Sequence, residues 1–79
     1  MPRYYFPSWD GDAFLADEEG LVFESVAQAR AQASQALAEM ARDILPQAPD
    51  GRVLKIHVVD GDGLVLELRL TYAVESGER

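Results

Sequence analysis

Apolar residues recur at spacings of three and four along one long stretch, Ser25 to Leu45. Val26, Ala29, Ala33, Leu37, Met40 and Ile44 form a single stripe, with Gln28, Gln32, Gln35, Glu39, Arg42 and Asp43 mostly opposite. That period predicts one amphipathic helix, about 30 Å long, with one buried face. Seven alanines between positions 27 and 41 favour it, and neither Gly nor Pro interrupts it. Ser25 is the expected N-cap, with Gln28 completing a capping box, and Glu24 supplies negative charge at the positive end. Pro46 ends the run. The small residues Ala27, Ala31, Ser34 and Ala38 form a shoulder attributed to helix propensity, the alternative being a flat strip for close approach of a second helix in a dimer.

Elsewhere the pattern alternates with period two. In Val53–Val59, Leu54, Ile56 and Val58 oppose Lys55 and His57. In Leu64–Tyr72, Leu64, Leu66, Leu68, Leu70 and Tyr72 oppose Val65, Glu67, Arg69 and Thr71. Such alternation predicts half-buried strands. Both apolar sets are even-numbered, so the hairpin loop between them must hold an odd number of residues. A three-residue loop, Gly61 to Gly63, with Gly63 left-handed as a bulge, pairs Val58 with Leu66 and Ile56 with Leu68. It also sets Lys55 against Arg69. Turn chemistry is preferred to charge here, because exposed ion pairs contribute little.

Arg3 to Trp9, rich in aromatics, reads as a first strand, and Asp10-Gly11 as a hairpin turn into a second, Ala13 to Asp17. A two-residue loop pairs Ser8 with Ala13 and Phe6 with Leu15. Tyr4, Phe6 and Leu15 then face the core, with Tyr5 and Phe14 on the other side. Pro7 cannot donate to a ladder. Asp17-Glu18-Glu19-Gly20 is a turn ending in a glycine suited to left-handed conformation. Phe23 is expected to pack onto the first turns of the helix. The chain is therefore an α+β domain, ββαββ, with one long helix on one face of a four-stranded, mainly antiparallel sheet. The expected strand order is 2-1-3-4. Residues 1–74 form the domain, and Glu75 to Arg79, lacking apolar residues, is expected to be a disordered tail.

Composition adds limits. A chain of 79 residues buries only about 60% of its unfolded surface. Without cysteine it has neither disulfides nor thiolate metal ligands, so association is the remaining source of stability. Fourteen acidic and seven basic residues give a net charge of −7, which repels phosphate backbones and suits a basic protein partner. No apolar run approaches the roughly 20 residues of a membrane span. The opening MPRYYF lacks signal-peptide shape. A cytoplasmic location is expected, with neither nucleic acid nor membrane as partner.

The start MPRYYF, the Asp10-Gly11 turn, DEEG at 17–20, ARAQA at 29–33 and the closing hairpin VLKIHVVDGDGLVLELRL occur in this order across nearly the whole chain. In this the sequence resembles a bacterial family of small proteins carrying a domain of unknown function. Pro7 and the cap residue Ser25 depart from that pattern. The resemblance implies no activity, ligand or catalytic residue.

Candidate chemistry is sparse. His57 is the only histidine, so a metal or catalytic role lacks a partner. Asp17, Glu18 and Glu19 offer oxygens for a hard cation but read better as a solvated turn. Asp60-Gly61-Asp62-Gly63 starts like a calcium loop, yet Leu64 and Thr71 occupy later ligand positions. Asp10 and Asp12 fail similarly. Ser8, Ser25, Ser34 and Ser76 lack a nucleophile elbow. Tyr5, Phe14, His57 and Arg69 offer a stacking platform for single strands, which the charge of −7 disfavours.

No enzyme activity, cofactor or metal is expected. The reading is a non-catalytic protein-interaction or regulatory module that forms a homodimer and binds an unidentified protein. Its expected interaction surface is the outer sheet face, through Tyr5, Phe14, Val53, Val59 and Val65, or else an exposed edge strand that extends the sheet across a two-fold axis. The alternatives are an acidic, antitoxin-like partner of a basic protein and, less favoured, a small-ligand-binding protein or enzyme.

Overall fold

A computed structural model describes residues 1–77 of the chain, in which helix α1 spans Val26–Ile44. The Ser25 hydroxyl accepts the Gln28 N–H at 3.2 Å, and the Gln28 side-chain oxygen accepts the Glu24 N–H at 2.9 Å. This capping is reciprocal, but its return bond reaches one residue further back than in a standard box. Pro46 falls in the short 3₁₀ turn Leu45–Gln47 that closes the helix.

The strands are β1 (Arg3–Tyr4), β2 (Ser8–Asp10), β3 (Ala13–Leu15), β4 (Leu21–Val22), β5 (Val53–Asp60) and β6 (Gly63–Thr71). A four-stranded antiparallel sheet has the order β3-β2-β5-β6, and β1 pairs with β4 in a separate two-stranded sheet. The arrangement differs from the expected 2-1-3-4 in its extra strand β4 and its divided first strand. The division has a cause in Pro7. Tyr5 and Val59 exchange backbone hydrogen bonds, and the His57 N–H donates to the Pro7 carbonyl at 2.9 Å. Pro7 has no N–H to return, so the regular ladder lapses between β1 and β2.

The first hairpin turns through Gly11-Asp12 and pairs Ser8 with Leu15, two residues from the expected register. Gly11 has φ 58° and Asp12 a negative φ, the pattern of a II′ turn. Leu15 shares the helix-side face with Ser8 but lies on the edge strand and is 70% exposed, not in the core.

The β5–β6 register is the expected one, Val58↔Leu66, Ile56↔Leu68 and Lys55↔Arg69. The odd residue is placed differently. Asp60 pairs with Gly63 around a two-residue turn, and the bulge falls at Val65, between the pairs Val59↔Leu64 and Val58↔Leu66. A bulge reverses the side-chain alternation of what lies beyond it. Leu64, expected in the core, is therefore 61% exposed, and Val65, expected outside, packs against the core.

The core comprises Tyr4, Ala29, Ala33, Leu37, Leu54, Ile56 and Val58. Ala29 and Ala33 are fully buried; their small side chains permit close approach of helix to sheet. Val26, expected in the stripe, is 43% exposed. Phe23 packs on the rings of Phe6 (6.2 Å, edge-on) and Tyr4 (6.5 Å). Residues 72–77 have no assigned secondary structure, and the remainder of the expected disordered tail lies outside the described residues. Among the described residues, no helix is long and apolar enough to cross a membrane.

Candidate interaction surface

Helix α1 covers one face of the four-stranded sheet. Alternation sets Trp9, Phe14, Val53, Lys55, His57, Val59, Glu67 and Arg69 on the other. Trp9 lies at the centre of this face. Its ring centroid is 4.9 Å from that of Phe14 and 4.5 Å from that of His57, and the Lys55 ammonium stands 5.1 Å from it. Trp9 pairs in register with Phe14 on one side and Lys55 on the other, so the three side chains meet as cross-strand neighbours. The indole is thereby shielded by its own chain, with a cation–π contact on the Lys55 side.

The charged groups of this face also engage one another. Glu67 accepts from Arg69 at 2.9 Å and lies 3.0 Å from His57 Nε2. The hydrogen bond with His57 lowers the pKa of the Glu67 carboxyl from its ordinary value; desolvation opposes this, and the Arg69 charge and hydrogen bond add to the lowering. Glu67 also offsets the Lys55↔Arg69 juxtaposition. Arg52 forms an ion pair with Asp10. An open depression of about 470 Å³ lies beside this pair, lined by Gly11, Asp50, Val53, Lys55 and Arg69 among others.

The five residues expected to form the surface are not equivalent. Phe14 is 57% exposed. Val53 lines the depression, and Val59 is half-buried opposite Leu64. Tyr5 is half-buried with its ring over Gly20. Val65 does not belong to the outer face, for the reason given above. The structure adds Trp9 and Leu64. Trp9 was legible from its odd position beside Tyr5; Leu64 was not, because the bulge that turns it outward has no residue signature of its own.

The opposite rim of the molecule is β6, which ends the sheet and has β5 as its sole paired neighbour among the described residues. Leu66, Leu68 and Leu70 are only partly buried, whereas Leu54, Ile56 and Val58 on β5 are at most 2% exposed. The helix thus centres on β5 and leaves the β6 leucines partly uncovered.

Two of the carboxylates considered as metal ligands, Asp17 and Asp60, serve the backbone. Asp17 accepts from the N–H groups of Phe6, Glu19 and Gly20 at 2.9, 3.2 and 3.1 Å. Burial alone would raise its pKa, but these three donors together lower it. Asp60 accepts the Asp62 N–H at 2.8 Å, an Asx turn. Among the described residues no cluster of three metal-ligating side chains occurs.

The family model for the domain of unknown function DUF6894 matches residues 3–71, and the chain belongs to that family. No curated protein and no solved structure gives a significant match.

Proposed function

We propose that this member of the DUF6894 family is a non-catalytic protein-interaction module of the cytoplasm that self-associates. The carrying observation is β6: nine residues at the sheet edge that pair only with β5 among the described residues, with three partly covered leucines along it. An edge of unpaired backbone groups beside uncovered apolar side chains is the surface a second strand completes. A chain this small gains most from such completion.

The outer sheet face supports this choice of surface indirectly. Its aromatic centre is flanked by Phe14, His57 and Lys55, and its carboxylate Glu67 engages both His57 and Arg69. Around Trp9 that face is a self-contained cluster, with Phe14 and Leu64 exposed at its margin; the edge combines partly covered leucines with backbone groups that no strand pairs among the described residues. Exposed carboxylates, among them Asp12, Glu18, Glu39, Asp43 and Asp62, are spread over turns and helix. They favour solubility over a focused site for one basic partner.

Thermal unfolding followed across a wide range of protein concentration tests the reading. A self-associating fold is stabilised by mass action, so the midpoint rises with concentration. A midpoint unchanged up to millimolar protein contradicts it.

A further inference from the structure

The free edge carries more information than its length. The Tyr72 N–H donates to the Arg52 carbonyl at 2.8 Å. Hydrogen-bonded and non-bonded pairs alternate along an antiparallel ladder, so the even-numbered residues of β6 turn their backbone groups toward β5. The odd-numbered ones, Glu67, Arg69 and Thr71, present their N–H and C=O groups to the open side. From Leu66 to Thr71 the strand is regular, without proline and beyond the bulge.

Resting on the reading that the chain self-associates, we infer that its partner is a second copy of itself. The two β6 strands pair antiparallel about a two-fold axis at Leu68, and Glu67 of each copy faces Arg69 of the other. Three constraints select this register. Pairing an odd with an even residue would bring outer-face side chains against helix-face ones, so the paired numbers must both be odd or both even. An axis at Glu67 would oppose two carboxylates, and one at Arg69 two guanidinium groups; like charges directly opposite are unfavourable. An axis at Leu68 instead creates two symmetric pairs of opposite charge, and it lies near the middle of the regular run. The helix-side face then matches as well: Leu68 meets its own copy and Leu66 meets Leu70. The three leucines that α1 leaves partly uncovered thus gain their missing neighbours. The result is a continuous eight-stranded sheet with a helix from each copy on the same face. The interface is isologous, with the same patch used by both partners.

The charge pattern supplies the test, by sedimentation of the full-length protein and three variants. Glu67→Arg opposes two arginine pairs in its homodimer, and Arg69→Glu opposes two acidic pairs. Each should weaken self-association roughly tenfold, the scale of two altered cross-strand pairs. An equimolar mixture of the two single variants restores both opposite-charge pairs and should associate as the wild type does. So should the double variant E67R/R69E. Both sites are exposed, and circular dichroism with denaturation of each variant separates dimer effects from folding effects. Rescue on mixing supports this register. A wild-type dimer whose affinity ignores all three variants overturns the β6 interface while leaving self-association standing. A wild type that stays monomeric at millimolar concentration overturns both.

Discussion

The Asp17 carboxylate accepts the backbone N–H of Phe6 at 2.9 Å. Continued by two residues, the β2–β3 register sets Phe6 opposite Asp17. The side chain therefore stands where a strand carbonyl would, bridging the lapse between β1 and β2. The same carboxylate closes the DEEG turn through Glu19 and Gly20. Asp17→Ala strands these donors and should cost about 1–3 kcal/mol in chemical denaturation.

The sign of its pH dependence follows. The folded pKa of Asp17 lies below the ordinary value of 3.8. Its contribution is thus fully present well above pH 3.8 and is lost as pH falls through the lower, folded value. The stability gap between wild type and Asp17→Ala should narrow in that acid range and stay constant near neutrality.

Gly20 is fixed twice over. Its φ is 68°, and a Cβ there would sit 2.5 Å from the Tyr4 carbonyl oxygen and 2.9 Å from the Tyr5 ring. Gly20→Ala should therefore cost at least about 1–3 kcal/mol from backbone strain alone. Gly61 lacks a positive φ and faces open space, so Gly61→Ala should stay within about 0.5 kcal/mol of wild type. Comparable losses at the two sites in thermal unfolding would contradict the geometry.

Leu37 is 8% exposed within the core, whereas Ser34 is exposed and donates to the Arg30 carbonyl at 2.9 Å. Leu37→Ala should cost roughly 2–5 kcal/mol through lost transfer energy and a cavity. Ser34→Ala should change stability by less than about 1 kcal/mol, because the hydroxyl only back-bonds within the helix. The reverse ranking would mean that the opposite helix face is buried.

Asp60 already spends one oxygen on the Asp62 N–H. Millimolar Ca²⁺ or Mg²⁺ should leave the melting temperature and the backbone NMR shifts of residues 60–63 unchanged. A saturable shift centred on Asp60 and Asp62 would identify a cation site.

Much of the fold was legible because long periodic signals report packing directly. The helix stripe, the β5–β6 register and the left-handed Gly20 all follow from residue type and spacing. What escaped lay in features that periodicity does not encode. The bulge at Val65 reverses two side chains, so Val65→Lys, which an outer-face position would tolerate, should instead destabilise the monomer. The first hairpin slipped by two residues because Asp10-Gly11 and Gly11-Asp12 both qualify as turns. Asp17 looked like a solvated carboxylate because its three donors are distant or turn amides that only the folded backbone brings together. The uncovered edge at Leu66, Leu68 and Leu70 depends on where the helix axis lies, which the stripe alone does not fix.

Sedimentation equilibrium of the wild-type protein across micromolar to millimolar concentration tests self-association most directly. The monomer mass is 8.7 kDa. The weight-average mass should climb with concentration toward twice that value and fit a monomer–dimer equilibrium. A single species of 8.7 kDa at every concentration would contradict it.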